Sequence, residues 1–371
     1  MQKLGFGLMR LPLLNSEDPK SIDLAQVSQM VDEFISNGFT YFDTAYMYHN
    51  QESERAVKKC LTSRYPRDKY LLASKLPSMY LTSEADNEKF FNEQLEKCGV
   101  SYFDYYLIHN LGVENYQKAE KYNSFAFCVK KKKEGKIKHL GFSFHGLAEE
   151  LDKILAKHHE EVEFVQLQIN YIDWESPTVE SRKCYETVRK YHKNVIVMEP
   201  VKGGTLVNIP EEAANFLKKH DSKMSIPSWA IRFAASLDGV MIVLSGMSNL
   251  AQLRDNMSYM KDFVPLTKEE HEMVLECANV INKAITIPCT ACSYCTEKCP
   301  KHINIPTYFK LYNEAKQNLN RNFKTQKEAY AKLIIDYGKA SSCIKCRQCE
   351  KMCPQHLHIC KYLEDVAQIF E

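Results

Sequence analysis

The segment CTACSYCTEKCP at residues 289–300 is matched in pattern by CIKCRQCEKMCP at residues 343–354. Both segments have the spacing C-x2-C-x2-C-x3-C-P, and the residues that follow the two prolines also agree, reading KHINI and QHLHI. This run is typical of ferredoxins with two [4Fe–4S] clusters, in which the fourth cysteine of each run binds the other cluster. The repeat therefore predicts a small iron–sulfur domain in this part of the chain.

The expected cluster ligands form two crossed sets of four cysteines. The first set is Cys289, Cys292, Cys295 and Cys353, and the second is Cys343, Cys346, Cys349 and Cys299. Zinc fits the pattern poorly, because zinc sites use cysteines in separated pairs rather than in runs of three followed by a fourth and a proline. Disulfides are disfavoured as well, because the other six cysteines show no pattern and the N-terminal residues do not resemble a signal peptide. We expect those six, Cys360 included, to pack as small hydrophobic side chains.

Bulk composition suits a soluble protein with one large and one small domain. The chain has 371 residues, 44% of them hydrophobic, and a formal net charge of +2. A nearly neutral chain argues against a nucleic-acid partner held by bulk electrostatics. No segment approaches the roughly 20 apolar residues that a membrane helix needs. We therefore expect a cytoplasmic protein with no nucleic-acid or membrane partner.

Upstream of the cysteine runs, short β-branched or aromatic segments alternate with longer helical patterns. The predicted strands are residues 4–9, 41–43, 70–75, 105–109, 137–142, 164–168, 195–198 and 240–244. Helical patterns between them include residues 24–37, 87–98, 116–133 and 178–190. This alternation predicts an α/β fold, a (β/α)8 TIM barrel. A doubly wound open sheet is the alternative, weakened because no G-x-G-x-x-G turn follows the first strand.

The expected domains are a barrel at residues 1–262 and a mainly α-helical, ferredoxin-like domain at residues 263–371. Thr267 and Glu270 have the spacing of a capping box, which predicts a helix start just after this boundary. In a barrel, chemistry is found at the carboxyl ends of the strands. Polar or ionisable residues stand at five of these ends: Asp43, Lys75, His109, Ser143, and Gln166 with Gln168. Together they predict a site.

Several of these residues lie within longer motifs. Asp43-Thr44-Ala45-x-x-Tyr48 is followed by Glu52-Ser53-Glu54, and His109 lies within Leu107-Ile108-His109-Asn110. Over residues 4–262 the chain resembles the aldo-keto reductase superfamily, and as a whole it is similar to members in which the barrel is fused to a ferredoxin-like tail. The resemblance implies a catalytic tetrad of Asp43, Tyr48, Lys75 and His109. It also implies a group of cofactor-binding positions: Gly7, Met9, Asp43, Ser143, Gln166, Met198, Gly246, Gln252 and Asn256.

The activity implied by this resemblance is reduction of a small carbonyl compound by NADPH or NADH. Hydride transfer leaves an alkoxide, so a proton donor must lie at the oxygen. Tyr48 would be that donor, with Lys75 favouring its phenolate and thereby lowering its pKa, and Asp43 holding the ammonium. His109 would place the substrate carbonyl by a hydrogen bond.

Departures from the family pattern leave alternatives open. Met198 replaces an aromatic residue, Phe144 follows Ser143 in place of asparagine, and Gly246 and Gln252 replace the cations that often bind the NADP phosphate. Weak discrimination between NADH and NADPH is therefore expected, unless Arg10, Lys202 or Arg254 supplies the missing charge from elsewhere. One alternative is an iron–sulfur electron-transfer protein whose barrel binds another cofactor, such as FMN. Another is a purely structural role for the clusters. An external ferredoxin or flavoprotein is an expected partner, because clusters carry single electrons whereas nicotinamide carries a hydride.

Overall fold

The computed structural model describes residues 2–16, 18–317 and 324–371. Within these residues, eight parallel strands pair in chain order and close into a barrel. The strands are β1 (Leu4–Gly7), β2 (Tyr41–Asp43), β3 (Leu71–Leu76), β4 (Phe103–Leu111), β5 (Ile137–Phe144), β6 (Phe164–Gln168), β7 (Asn194–Met198) and β8 (Val240–Ser245). Closure comes from β1 and β8, where Leu4 lies opposite Val243. The predicted (β/α)8 barrel is confirmed.

Helices follow most of the strands and continue past the barrel. Those between Leu24 and Met260 are α1 (Leu24–Ser36), α2 (Ser53–Val57), α3 (Ala85–Cys98), α4 (Val113–Lys121), α5 (Ser124–Lys133), α6 (Ala148–His158), α7 (Ser181–Lys190), α8 (Glu211–His220), α9 (Ile226–Ser236) and α10 (Leu250–Met260). Those after Met260 are α11 (Lys268–Ala284), α12 (Ile305–Gln317), α13 (Lys324–Asp336), α14 (Gln348–Met352) and α15 (Ile359–Phe370). Short 3-10 or π-helical turns occupy Leu8–Arg10, Lys58–Thr62, Arg67–Lys69, Ser78–Tyr80, Lys202–Gly204 and Ala340–Ser342.

One predicted helix is wrong in extent, because residues 116–133 belong to two helices, α4 and α5. The break is at Asn123, whose φ of 54° lies in the left-handed region that asparagine tolerates better than most residues. Asn87 holds the break in place: its Nδ2 donates to the Tyr122 carbonyl at 2.7 Å, and its Oδ1 accepts from Ser124 Oγ at 2.9 Å. The helical pattern of the sequence continues across this break, so the sequence alone does not reveal the hydrogen bonds from Asn87 that hold the break in place.

Large side chains fill the barrel interior. Tyr41, Tyr105, Phe164 and Ile196 belong to one buried cluster inside it. Glycine is required where strands and rings approach closely, since a Cβ at Gly141 would lie 2.5 Å from the Phe164 carbonyl oxygen. The barrel is therefore a packed core, and chemistry is confined to its rim.

The chain forms two compact units. The first comprises residues 1–176, 180–200 and 227–271, and the second comprises residues 177–179, 201–226 and 272–371. The second unit thus contains α8, α11 from Glu272 onward, and α12–α15. The predicted boundary at residues 262 and 263 remains a prediction. The predicted capping box is present, since Thr267 N donates to Glu270 Oε2 at 2.8 Å and Glu270 N donates to Thr267 Oγ1 at 3.1 Å.

An aromatic core supports the second cysteine run inside the second unit. The Tyr330 ring stacks on Phe370 at 5.2 Å, and the Tyr330 hydroxyl accepts a hydrogen bond from Ala340 N at 2.8 Å. Tyr308 Oη donates to the Gly338 carbonyl at 3.0 Å. These bonds fix the backbone just before Cys343. Within the part of the chain that the structure describes, no helix combines the length and the apolar character that crossing a membrane requires.

Candidate active site and cluster sites

The predicted site residues meet at the rim formed by the carboxyl ends of the strands. Gly7 pairs with Asp43 in register, and Ser143 pairs with Gln166. Lys75 lies next to the last residue of β3, and His109 lies two residues before the end of β4. Because all eight described strands run parallel, these ends point to the same rim.

Lys75 is the centre of the hydrogen-bond network at this rim. Its side chain is 0% exposed, and its ammonium donates to Asp43 Oδ1 at 2.5 Å, to the Thr44 carbonyl at 2.9 Å and to the Tyr48 hydroxyl at 3.2 Å. These three acceptors match the three donors of an ammonium group. Gln166 Nε2 donates to the other oxygen of Asp43 at 3.3 Å. The carboxylate is thus held from two sides.

Burial pulls the two charges of this pair in opposite directions. It lowers the pKa of Lys75 and raises the pKa of Asp43, and the attraction between the two groups opposes both shifts. A buried ion pair remains charged only when its hydrogen bonds are complete. The three acceptors around Lys75 meet this condition.

His109 faces the Tyr48 ring, with the ring centres 6.2 Å apart and an interplanar angle of 83°. Its Nδ1 is buried and has no hydrogen-bond partner within the described residues. Burial, with the positive charge of Lys75 and the neighbouring His145, holds the pKa of His109 well below its usual range. The ring is therefore neutral near pH 7, with one N–H to donate.

The pKa of Tyr48 departs from the expectation drawn from the sequence. Lys75 was expected to lower it, yet burial and the carboxylates of Asp43 and Glu199 raise it well above 10.0. The hydrogen bond from Lys75 is present, but loss of hydration and two negative charges outweigh it. In the protein without ligand, Tyr48 is a firmly protonated phenol.

The structure also places the other positions expected to bind a cofactor. Ser143 Oγ accepts from Asn110 N at 2.7 Å, and Asn256 Nδ2 donates to Ser245 Oγ at 2.7 Å, so both side chains are fixed at the rim. A Cβ at Gly7 would lie 3.3 Å from the Ser245 carbonyl oxygen. Met9 follows β1 in its 3-10 turn and Met198 ends β7, each half-buried. Gln252 is exposed, and its Oε1 accepts from Ser248 N at 2.8 Å.

Three further residues lie near this rim: Arg10, one of the cations that the sequence offered in place of the missing charges, and two acidic residues whose roles sequence reasoning missed. A Cβ at Gly246 would lie 3.4 Å from the Arg10 side chain, so a cation lies beside the position where one seemed absent. Glu199 lies just after β7 with a φ of 55°, and its negative charge raises the pKa of Tyr48. Glu199 carried no sequence signal, because it reaches the site from a distant part of the chain.

Glu54 is the third of these residues. It is fully buried, and its Oε1 accepts from Ser74 Oγ and from Gln94 Nε2, both at 2.7 Å. Gln94 Nε2 also donates to the Lys75 carbonyl at 3.0 Å, so this network fixes the end of β3. Burial raises the pKa of Glu54 to about 7. Its place in the Glu52-Ser53-Glu54 motif was a signal, but its burial could not be read from it.

Two cavities in the second unit collect the eight predicted cluster cysteines. The first is lined by Cys289, Cys292, Cys295 and Cys353. The second is lined by Cys343, Cys346, Cys349 and Cys299. The fourth cysteine of each run thus crosses to the cavity of the other run, as a ferredoxin pattern implies. Across the described residues, no three His, Cys, Asp or Glu side chains are spaced to share one metal ion.

An internal repeat relates the two cavities. Each residue of the first run has its counterpart 54 positions later, as Cys289 has Cys343. The apolar lining follows the same rule: Pro306 and Phe309 at the first cavity correspond to Cys360 and Leu363 at the second. The pseudo-symmetry therefore extends beyond the ligands, and Pro306 with Cys360 is one place where the chemistry differs.

Comparisons with known proteins agree with this architecture. Residues 3–279 match the sequence model of the "Aldo/keto reductase family", and residues 288–358 match that of a "4Fe-4S dicluster domain". No curated protein matches the chain.

Solved structures show the same fold in the barrel. An aldo-keto reductase from Bacillus halodurans, AKR11C1, is 20% identical with a TM-score of 0.58, over 74% of this chain and 91% of that one. One from Klebsiella pneumoniae in complex with NADPH is 17% identical with a TM-score of 0.57, over 75% and 90%. One from Brucella melitensis is 19% identical with a TM-score of 0.56, over 74% and 94%. At these identities the likeness shows the fold alone. Because the family match spans residues 3–279 of 371 and a dicluster domain follows it, the chain belongs to the aldo/keto reductase family, as an oxidoreductase with a C-terminal 4Fe–4S domain.

Proposed function

We propose that the barrel reduces a small aldehyde or ketone to the alcohol with NADPH or NADH, and that Tyr48 donates the proton. The observation that carries this proposal is the buried Lys75 ammonium, bonded at once to Asp43, the Thr44 carbonyl and the Tyr48 hydroxyl. The third bond, to a phenol at the rim, is what proton transfer to a substrate oxygen requires.

Each residue of the tetrad has a defined part in the proposed reaction. Bound nicotinamide supplies the hydride. Tyr48 gives its proton to the substrate oxygen, and the Lys75 ammonium 3.2 Å away stabilises the phenolate that remains. Asp43 balances the charge of that ammonium. Neutral His109 donates a hydrogen bond to the same substrate oxygen, and its unpartnered Nδ1 supports a polar group arriving there.

The expected cofactor positions are proposed to hold the dinucleotide along the rim. Ser143 and Gln166 pair on the neighbouring strands β5 and β6, and Gln166 also bonds to Asp43, so we assign them to the nicotinamide end. Met198 would pack on the ring. Asn256 bonds to Ser245, the residue before Gly246, and the Arg10 side chain against Gly246 would supply a positive charge for phosphate. Gln252, Gly7 and Met9 complete the proposed set.

We further propose two [4Fe–4S] clusters in the second unit, bound by the crossed cysteine sets. Their support is the division of eight cysteines between two cavities related by the internal repeat. Anaerobic iron and sulfide analysis should return about eight of each per chain. A zinc-loaded protein without sulfide would contradict it.

A paired tyrosine substitution tests the barrel chemistry. Tyr48→Phe should lower NADPH-dependent reduction of benzaldehyde or acetophenone by at least the ~100-fold typical of a lost general acid, with unchanged NADPH affinity. Tyr46→Phe is the control, because the Tyr46 hydroxyl bonds to Glu93 at 3.3 Å, outside the tetrad. Equal rates in the two variants would show that Tyr48 is not the donor. A yellow cofactor retained by the purified barrel would favour the FMN alternative.

A further inference from the structure

A fifth cysteine lines the second cluster cavity. Cys360 contributes to this cavity together with Cys299, Cys343, Cys346 and Cys349, whereas four cysteines line the first cavity. It is buried against the core of the second unit, as a small hydrophobic side chain would be. Its position among four thiols nevertheless gives it a chemical role that the other scattered cysteines lack.

The internal repeat shows that this thiol is specific to one cluster. Cys360 is the second residue of α15, and its counterpart Pro306 is the second residue of α12. Both side chains point to the cavity of their own repeat. The two sites therefore share their geometry but differ in one donor atom, which makes each a control for the other.

Local contacts hold Cys360 beside two predicted ligands. Its side chain lines the same cavity as the thiols of Cys343 and Cys349. Its backbone N donates to Glu350 Oε1 at 2.9 Å, a bond that proline cannot make. Glu350 belongs to α14, so this bond fixes the start of α15 against the helix that carries Cys349.

Cys343 is the ligand that Cys360 is best placed to replace. Cys343 is half-buried and extended at the end of the Ala340–Ser342 turn, so it is not held by a helix. Cys349 is buried inside α14, where the helix constrains its sulfur. Movement of one ligand away from the cavity is therefore easier at Cys343.

We propose that Cys360 is a reserve ligand of the second cluster, able to take the place of Cys343. In this exchange one iron–sulfur bond to Cys343 breaks, one to Cys360 forms, and the proton of Cys360 passes to the released Cys343 sulfur. No electron is gained or lost. The proposal rests on the two proposed clusters, and it makes the second cluster more tolerant than the first of damage to a ligand.

The test compares symmetry-related alanine variants by anaerobic iron and sulfide content. Cys343→Ala should keep about eight irons, because Cys360 replaces the lost ligand, whereas Cys289→Ala should fall to about four. Cys343→Ala with Cys360→Ala should also fall to about four. Cys360→Ala alone should keep about eight, since the normal ligands remain.

A second variant, in which a cysteine is added at the first cluster, tests the proposal even if Cys343→Ala does not fold. Adding Pro306→Cys to Cys289→Ala should restore about eight irons by building the same reserve at the first cluster. Failure of that rescue, or about four irons in Cys343→Ala when the unmodified chain holds about eight, overturns the reserve ligand. An unmodified chain without iron and sulfide would instead refute the proposed clusters themselves.

Discussion

At the scale of single residues, the barrel rim depends on one buried cation. Lys75 has no exposed surface, and a charge removed from water is retained only with full compensation. Asp43, the Thr44 carbonyl and the Tyr48 hydroxyl supply it. The same burial makes His109 neutral and keeps Tyr48 protonated, so both groups are ready to donate at neutral pH.

These protonation states predict an unusual pH profile for carbonyl reduction. Since the pKa of His109 is well below 6.5 and that of Tyr48 well above 10.0, the rate should stay level from about pH 6 to about pH 9. Activity should fall only at higher pH, as Tyr48 loses its proton. Measuring kcat/KM for benzaldehyde across this range checks it. A fall between pH 7 and 8 would show that Lys75 lowers the pKa of Tyr48 after all, as the sequence had suggested.

Arg10 is predicted to govern the preference for NADPH. Gly246 and Gln252 carry no charge, but the Arg10 side chain lies against Gly246. A charge-assisted bond is worth roughly 1.5–3 kcal/mol, so Arg10→Ala should weaken NADPH binding by about one to two decades and spare NADH. The matched control is Arg254→Ala, which removes an equal charge from a side chain bonded to Glu33 at 2.5 Å. The test is to titrate each variant with NADPH and with NADH and compare the affinities. An equal loss of NADH affinity in Arg10→Ala would mean that Arg10 does not bind the phosphate that distinguishes NADPH.

The sequence identified the residues at the rim, but it could not predict their pKa values. Asp43, Tyr48, Lys75 and His109 follow from motifs and strand ends, because the barrel places every strand end on one rim. The pKa of Tyr48 depends on Glu199, which lies about 150 residues away along the chain. No local pattern encodes such a neighbour.

At the scale of elements, strand positions followed from composition, whereas some helix ends required tertiary contacts. The predicted strands 41–43 and 164–168 match β2 and β6, because both are short runs whose side chains are all buried. The split between α4 and α5 depends on Asn87, more than 30 residues earlier in the chain. The turn Lys202–Gly204 likewise depends on a distant residue, because Gly203 lies against the backbone of Thr290.

Two adjacent glycines in that turn give a matched pair for a stability prediction. A Cβ at Gly203, φ 62°, would lie 2.1 Å from the Thr290 carbonyl oxygen, whereas one at Gly204, φ 101°, has nothing within 4 Å. Both alanine variants should lose roughly 1–3 kcal/mol from backbone strain. Gly203→Ala should lose clearly more, because it displaces the backbone beside Cys289.

Anaerobic urea denaturation of the two variants, with iron content measured alongside, checks this ordering. Gly203→Ala should also lose iron at a lower urea concentration than Gly204→Ala, since Thr290 lines the first cavity. Equal midpoints for the two variants would mean that the loop moves away at little cost.

At the scale of the whole molecule, the division into compact units was the least predictable feature. Residues 201–226 belong to the second unit, although they lie between β7 and β8 in the chain. Within that unit Lys202 is buried and its Nζ donates to Gln355 Oε1 at 3.3 Å. A sequence boundary assigns a continuous segment to one domain, so it cannot represent a segment that packs with residues 150 positions later.

The joining of a barrel and a dicluster domain in one chain raises the question of electron exchange between nicotinamide and clusters. Nicotinamide gives two electrons and a proton as hydride, whereas each cluster accepts one electron. Direct exchange would pass through a high-energy nicotinamide radical, and the sequence carries no recognisable flavin motif to split the pair. We therefore expect NADPH and NADH alone to leave the clusters oxidised, with an external ferredoxin or flavoprotein as the electron partner.

The measurement is the visible absorbance of the clusters under anaerobic conditions. Excess NADPH or NADH should leave it unbleached, while dithionite, a one-electron donor, should bleach it in the same sample. Bleaching by nicotinamide in flavin-free protein would contradict the argument, because it would require single-electron chemistry at the barrel. Bleaching that appears only when FMN is added would place a two-to-one electron converter in the barrel, and Tyr48→Phe would then separate the two activities: carbonyl reduction would be lost and bleaching would persist.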